Sequence, residues 1–380
     1  MKRIVLLILI TFFARESCAQ KSSPIDSIVK NTELDFRFSH AFIIHHHQEM
    51  RIYREHFSML EFSLQKQTYG RQTWQRYYNY PTIGMTFLYS YIGNHDVFGS
   101  AYAIYPFINF PFNKSKINSF NFRLGIGPGY LTKKFDQTEN PNNIYIGSHI
   151  NATISLSFEY KRQISNHLKI SLFAGLTHFS NGCSYQPNNG INIFNTGLST
   201  TYLIGNRNSY KDLTKLMTYN KEEIKQINSL LSKKIDLEFY LGLSYGFKRV
   251  EYKQKDNFSV YNFEFHAMER VSNLSKFGIG IDLIYDETDV LVLDINENKY
   301  NFAQLLKPGI GVAYELIIGD MSFLFNMGFH PWGLDMSYGR IYNKLALKAN
   351  IGEYFYGKVT LNTHFGVADF VGFGLGIRLQ

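Results

Sequence analysis

The chain has 380 residues, and 39 Lys and Arg against 31 Asp and Glu give it a formal charge of +8. Its two cysteines cannot build a disulfide framework, and past the N-terminus it holds no apolar run of the roughly 18 residues that a transmembrane helix requires. It is nevertheless 16% aromatic, with 27 Tyr and 33 Phe, while its mean hydropathy is slightly negative. That combination is unusual for a water-soluble globule and suits a membrane β-barrel, with aromatic girdles outside and a polar lumen inside.

The first residues read as an export signal. Lys2 and Arg3 precede the apolar run from Ile4 to Ala14, and Ser17-Cys18-Ala19 supplies small residues at the usual cleavage spacing. Residues 1–19 are therefore expected to be removed, which leaves Cys183 as the one cysteine of the mature chain. Arg15, three residues before Cys18, argues against a lipoprotein site. Without the leader the formal charge is about +6, a balance that suits a phosphate-rich partner such as anionic lipid. An exported chain without a nucleic-acid-binding motif is not expected to bind nucleic acid.

From there the dominant pattern is period two. Strands are predicted near 34–46, 51–66, 79–91, 96–108, 118–132, 145–161, 167–180 and 190–204. A second set follows near 235–249, 258–271, 275–286, 308–318, 320–330, 341–355 and 357–380, the last long enough for two. Between the sets, residues 206–234 carry Leu213, Leu216, Ile224, Ile227 and Leu230 near helical spacing and read as a connector with a short helix. The C-terminal strand is the clearest: Phe373, Leu375, Ile377 and Leu379 alternate with Gly374, Gly376 and Arg378. Such a strand resembles the signal read by barrel-assembly machinery. The expected fold is all-β, one antiparallel transmembrane barrel over 20–380 with about 14 strands (range about 12–16). Residues 20–205 would form one half of it and 235–380 the strands that close it.

The strand before the middle of the chain carries the chemistry. Leu168, Ile170, Leu172, Ala174 and Leu176 share a face, which His178 and Ser180 continue. Eight steps of roughly 3.3 Å give about 26 Å of strand, or about 20 Å of depth at a tilt near 40°. His178 and Ser180 thus fall at the rim of the lipid layer, facing outward. An imidazole and a hydroxyl are out of place there unless the substrate is a membrane lipid. On the next predicted strand, Asn192 leads the lipid-like face and falls beside His178. Ser180 as nucleophile, His178 as base and Asn192 as the group holding the imidazole satisfy the logic of a serine hydrolase. The backbone N–H groups around Gly182 and Cys183, or the side chains of Asn181 and Asn188, are candidate oxyanion donors. The plainer reading is a strand end with His at the headgroup level, which a lone His-x-Ser would favour.

The run His178-Phe179-Ser180-Asn181, followed by Gln186-Pro187-Asn188-Asn189-Gly190-Ile191-Asn192, resembles the active-site region of the PagL-type lipid A 3-O-deacylases. The resemblance implies an outer-membrane barrel hydrolysing an ester-linked acyl chain of lipid A, with Ser180 and His178 as the pair, Asn181 and Asn188 in support, and no cofactor or metal. The chain departs from the family twice. The acidic third member is Asn192 here, and the chain is about twice the length of that eight-stranded core, like the acyloxyacyl-hydrolase-like branch.

Other features were weighed against this reading. His45-His46-His47 could ligate a metal, but neighbours on a strand point to opposite faces. Cys183 falls in the loop, off the His178 face, and Asn140-Pro141-Asn142-Asn143 reads as an exposed turn bordering the site. Thr363-His364-Phe365 echoes Thr177-His178-Phe179, with Gly366 in place of the serine, and is assigned no role. Trp74 and Trp332 read as girdle residues. The alternative functions are a non-catalytic channel or structural barrel, served by lumen-facing Arg and Lys, and a phospholipase, which would want acidic calcium ligands near Ser180.

Overall fold

The computed structural model describes residues 32–45, 53–70, 72–112, 117–204, 236–250, 257–289, 302–334 and 336–379. The expected signal peptide (1–19), the connector over 206–234, and His46 and His47 lie outside the described residues.

Sixteen strands form among the described residues. The first eight are β1 (Thr32–Ile43), β2 (His56–Gln67), β3 (Thr82–Tyr91), β4 (Ser100–Pro111), β5 (Asn118–Leu131), β6 (Ile150–Gln163), β7 (Leu168–Ser180) and β8 (Ile191–Ile204). The next eight are β9 (Leu237–Lys248), β10 (Phe258–Ser272), β11 (Ser275–Asp286), β12 (Leu306–Ile318), β13 (Met321–Phe329), β14 (Ile341–Ile351), β15 (Phe355–His364) and β16 (Val367–Leu379). The terminal segment 357–380 was long enough for two strands, and β15 and β16 divide it at Phe365-Gly366.

The expected single barrel is not what they build. β8 pairs back onto β1 from Thr32↔Ile204 to Ile43↔Ile193, and β16 pairs back onto β9, so two closed eight-stranded antiparallel barrels result. The reason lies in what side-chain alternation encodes. It assigns each residue to a face, but it does not say which strand closes on which.

Both lumina are filled, as the narrow bore of eight strands requires. In the first barrel Arg37 bonds Asp35 at 2.9 Å and also Glu159, while Arg123 reaches Asp35 at 3.3 Å, Ser63 at 2.8 Å and Thr86 at 2.6 Å. Nearer the site the lumen turns apolar, with Met59, Leu88, Tyr105, Phe179 and Ile193 all buried. In the second barrel Lys344 lies between Glu264 (2.8 Å) and Asp282, and Tyr342 donates to Asp282 at 2.5 Å. Outward positions such as Phe36, Phe38, Phe62, Leu172 and Leu198 are about half exposed to what would be lipid.

Most long connections and tight turns segregate, the exceptions being the 68–81 link at the short-turn end and the Phe365-Gly366 turn at the other. The links 92–99, 132–149 and 181–190 of the first barrel, and 330–340 of the second, leave one end, while the turns 164–167, 273–274 and 319–320 close the other. Membrane barrels keep short turns in the periplasm and long loops outside, so both barrels stand the same way up. They touch at the short-turn end through α1 (Thr73–Tyr77). Asn273 donates to Tyr77 Oη at 2.6 Å and Tyr78 Oη to the Ile317 carbonyl at 3.0 Å. Trp74 is buried there against Gly319 and Ile318, so it is an inter-barrel contact and not the girdle residue its composition suggested. Trp332 stands exposed in the β13–β14 connection.

Candidate active site

β7 ends at the long-loop rim of the first barrel, and its alternation places the site. Thr177 and Phe179 point into the lumen, 1% and 0% exposed, so Leu176, His178 and Ser180 point outward. Leu176 is exposed, whereas His178 and Ser180 are half-buried beneath the β7–β8 loop. Directly across the ladder His178 faces Asn192 of β8, and its Nδ1 lies 2.6 Å from Asn192 Oδ1. An amide oxygen only accepts, so this contact puts the ring proton on Nδ1 and makes Nε2 the ring's acceptor. Gly190 floors the imidazole. It sits at φ +74°, and a Cβ there would approach His178 Cε1 to 2.7 Å, so no side chain fits without pushing the ring away.

The loop organises the hydroxyl. Ser180 Oγ donates to Asn188 Oδ1 at 3.1 Å, and the same oxygen accepts the Asn181 N–H at 3.0 Å. The Gly182 N–H donates to Ser180 Oγ at 3.2 Å. Asn188 Nδ2 is buried with no partner among the described residues, which leaves one amide donor close to the serine. Asn181 is already committed: its Nδ2 donates to Ser148 Oγ at 2.9 Å and its Oδ1 accepts the Tyr185 N–H at 3.2 Å. It therefore shapes the turn with one of its two amide hydrogens and its oxygen.

Tyr145 and Ile146 help to hold this arrangement and carried no signal in the sequence. The β5–β6 loop pairs Ile146 with Asn188, and the Tyr145 carbonyl accepts the Gly190 N–H at 3.1 Å. The Asn140–Asn143 turn orders that same loop, both amides donating to the Val97 carbonyl at 3.0 Å. His45 Nδ1 lies 3.0 Å from Tyr145 Oη, an ordinary packing contact. Among the described residues no cluster of His, Cys, Asp or Glu is arranged to hold a metal ion. Cys183 lies at φ +67° in the loop, and burial, reinforced by the Asp369 carboxylate, pushes its thiol up to about 11. A thiol so rarely ionised is a poor nucleophile.

Residues 59–201 match the family model of the lipid A 3-O-deacylases (PagL), and residues 235–380 match the acyloxyacyl hydrolase C-terminal domain. No curated protein matches the chain. Among solved structures, the outer membrane enzyme PagL is 16% identical, with 44% of this chain and 98% of that one covered, at a TM-score of 0.32. Neisserial surface protein A is 5% identical over 46% and 97%, at 0.33. The siderophore receptor PirA from Acinetobacter baumannii is 8% identical over 87% and 43%, at 0.23. The two family models abut the two barrels, the first covering most of β2 to β8 and the second all of β9 to β16. By those two matches the chain belongs to the PagL-like family of outer-membrane lipid A deacylases.

Proposed function

We propose that Ser180 is the nucleophile, His178 its general base and Asn192 the group that orients the base, in an esterase that removes an ester-linked acyl chain from lipid A. The coarser activity, lipid A deacylation in the outer membrane, is that of the family. The observation that carries the finer reading is the 2.6 Å contact of His178 Nδ1 with Asn192 Oδ1, two residues along β7 from a serine on the same lipid-facing side. A channel has no use for an oriented imidazole on its outer wall.

The chemistry follows from these positions. At rest the Ser180 hydroxyl points to Asn188. Its deprotonation by His178 requires that hydroxyl to leave Asn188 and turn along the strand, a change between staggered χ1 wells. Oγ attacks the ester carbonyl carbon as its proton passes to His178 Nε2, and the Asn192 oxygen holds the resulting imidazolium in place. The Gly182 N–H and Asn188 Nδ2 are the donors near enough to meet the tetrahedral oxyanion. Collapse breaks the ester bond, and His178 gives its proton to the departing alkoxide, which leaves as an alcohol on the lipid. Water, deprotonated by His178, then cleaves the acyl-serine and releases a fatty acid. An ester bond at the headgroup boundary of an outer-leaflet lipid lies at the depth of this rim.

Mass spectrometry of lipid A from cells producing the wild type and Ser180→Ala tests the assignment. Loss of one acyl mass with the wild type alone is the expected result. An identical loss with Ser180→Ala, in a protein folded in the membrane, would remove Ser180 from the mechanism.

A further inference from the structure

We propose that the second barrel is a brace for the first barrel's nucleophile loop, and that Val371, Cys183 and the backbone of Arg249 are positioning residues for the Gly182 N–H beside Ser180. This rests on the reading of Ser180 as nucleophile. Gly182 and Cys183 are consecutive left-handed residues, at φ +60° and +67°. A non-glycine residue keeps such a conformation only where its surroundings over-determine it. At Cys183 those surroundings come from the other barrel. Its carbonyl accepts the Arg249 N–H at 3.0 Å, and its Sγ donates to the Ala368 carbonyl at 3.1 Å. Gln186, three residues on, donates to the Arg249 carbonyl at 3.2 Å. The Arg249 guanidinium, held by Asn257 Oδ1 at 2.7 Å, lies 4.4 Å from the centre of the Tyr185 ring. Val371 fills the space at Gly182 where any Cβ would stand.

The loop between Gly182 and Gln186 is thus tied to the end of β9 and the start of β16, while its first N–H donates to Ser180 Oγ. The tethers run from the second barrel to Cys183, through one peptide to Gly182, and so to the donor at the nucleophile. Displacing a donor aimed at a developing oxyanion slows the chemical step and leaves ground-state binding largely intact. On this account the second barrel gives the deacylase its loop geometry, a role for the half of the chain that an eight-stranded catalytic core does not need.

The test uses full-length protein in detergent micelles and reads kcat and KM on lipid A, together with the rate at which a fluorophosphonate labels Ser180. Val371→Ala opens the space beneath Gly182. Cys183→Gly accepts the left-handed backbone without strain and deletes the Sγ tether to Ala368, with the Gln186 Nε2 contact on the same sulfur. If Cys183 served stability alone, glycine there would be neutral. The expected result is a fall in kcat and in labelling of about tenfold or more for the combined variant, with KM unchanged. Cys183→Ser, which keeps a donor to Ala368, is expected to recover most of the loss. Wild-type kcat and labelling in both Val371→Ala and Cys183→Gly, with Ser180→Ala inactive, would overturn the brace and leave the nucleophile standing. Activity surviving in Ser180→Ala would overturn both.

Discussion

At the scale of single residues, the proposed site has an amide where the resemblance to the PagL-type deacylases implies an acid. Asn192 fixes the His178 tautomer through its 2.6 Å contact, but it is neutral and stabilises imidazolium less than a carboxylate would. Asn192→Asp is therefore expected to raise kcat by about tenfold with little change in KM, and Asn192→Leu to lower it by about 10²-fold or more. Equal rates for the three would show that Nδ1 needs no partner. Gly190→Ala is expected to cost about 10²-fold in kcat, because the new methyl must displace the imidazole by several tenths of an ångström and the backbone sits at φ +74°. A steady-state comparison with a neighbouring loop variant, Asn189→Ala, isolates the ring displacement from general loop damage. His178, Ser180 and Asn192 were legible in the sequence because period-two alternation fixes a residue's face and local register places neighbours across a hairpin. Ser148, Tyr145 and Val371 were not, since they reach the site from the β5–β6 loop and from β16, and the alternation within one strand carries no trace of them.

At the scale of elements, each strand was visible because a barrel wall needs one apolar and one polar face. β7 illustrates it: Leu172 and Leu176 are exposed outward while Ser171, Phe173 and Thr177 are buried inward. The polar face was readable only as polar, and its ion pairs had to await the closed barrels. In β14, Lys344 is fully buried between Glu264 and Asp282 of β10 and β11, strands that are not its ladder neighbours. Deleting that cation leaves Asp282 without an ion-pair partner and Glu264 with Lys358 alone in a closed lumen, and breaking a buried pair in this way costs about 3–5 kcal/mol. Lys344→Met is accordingly expected to lower the urea midpoint of the folded, heat-modifiable form well below that of Lys133→Met, whose lysine is exposed. Matching midpoints would mean that the lumen tolerates an unpaired Asp282, by protonating it or by admitting water.

At the scale of the whole molecule, the correction from one barrel to two decides between the functional alternatives. A single barrel of about 16 strands leaves an aqueous channel, whereas eight strands enclose a bore that side chains fill. The sequence could not separate the two, because a lumen-facing lysine reads the same in a wide pore and in a packed core. Closure of β8 on β1 and of β16 on β9 settles the bore. Arg37 and Tyr105 lie across the first lumen, and Tyr342, Lys344 and Tyr356 across the second, each less than about 3% exposed. Such plugs are held by ion pairs and hydrogen bonds in low dielectric and do not swing aside at modest voltage. The purified protein in a planar bilayer is therefore expected to give no stepwise conductance, while the same preparation deacylates lipid A. Discrete openings from the wild type would contradict packed lumina and return the channel reading. Openings that appear only when Arg37 and Arg123 are both replaced by alanine would support the packed structure, since they would identify the guanidinium lattice as what closes the first barrel.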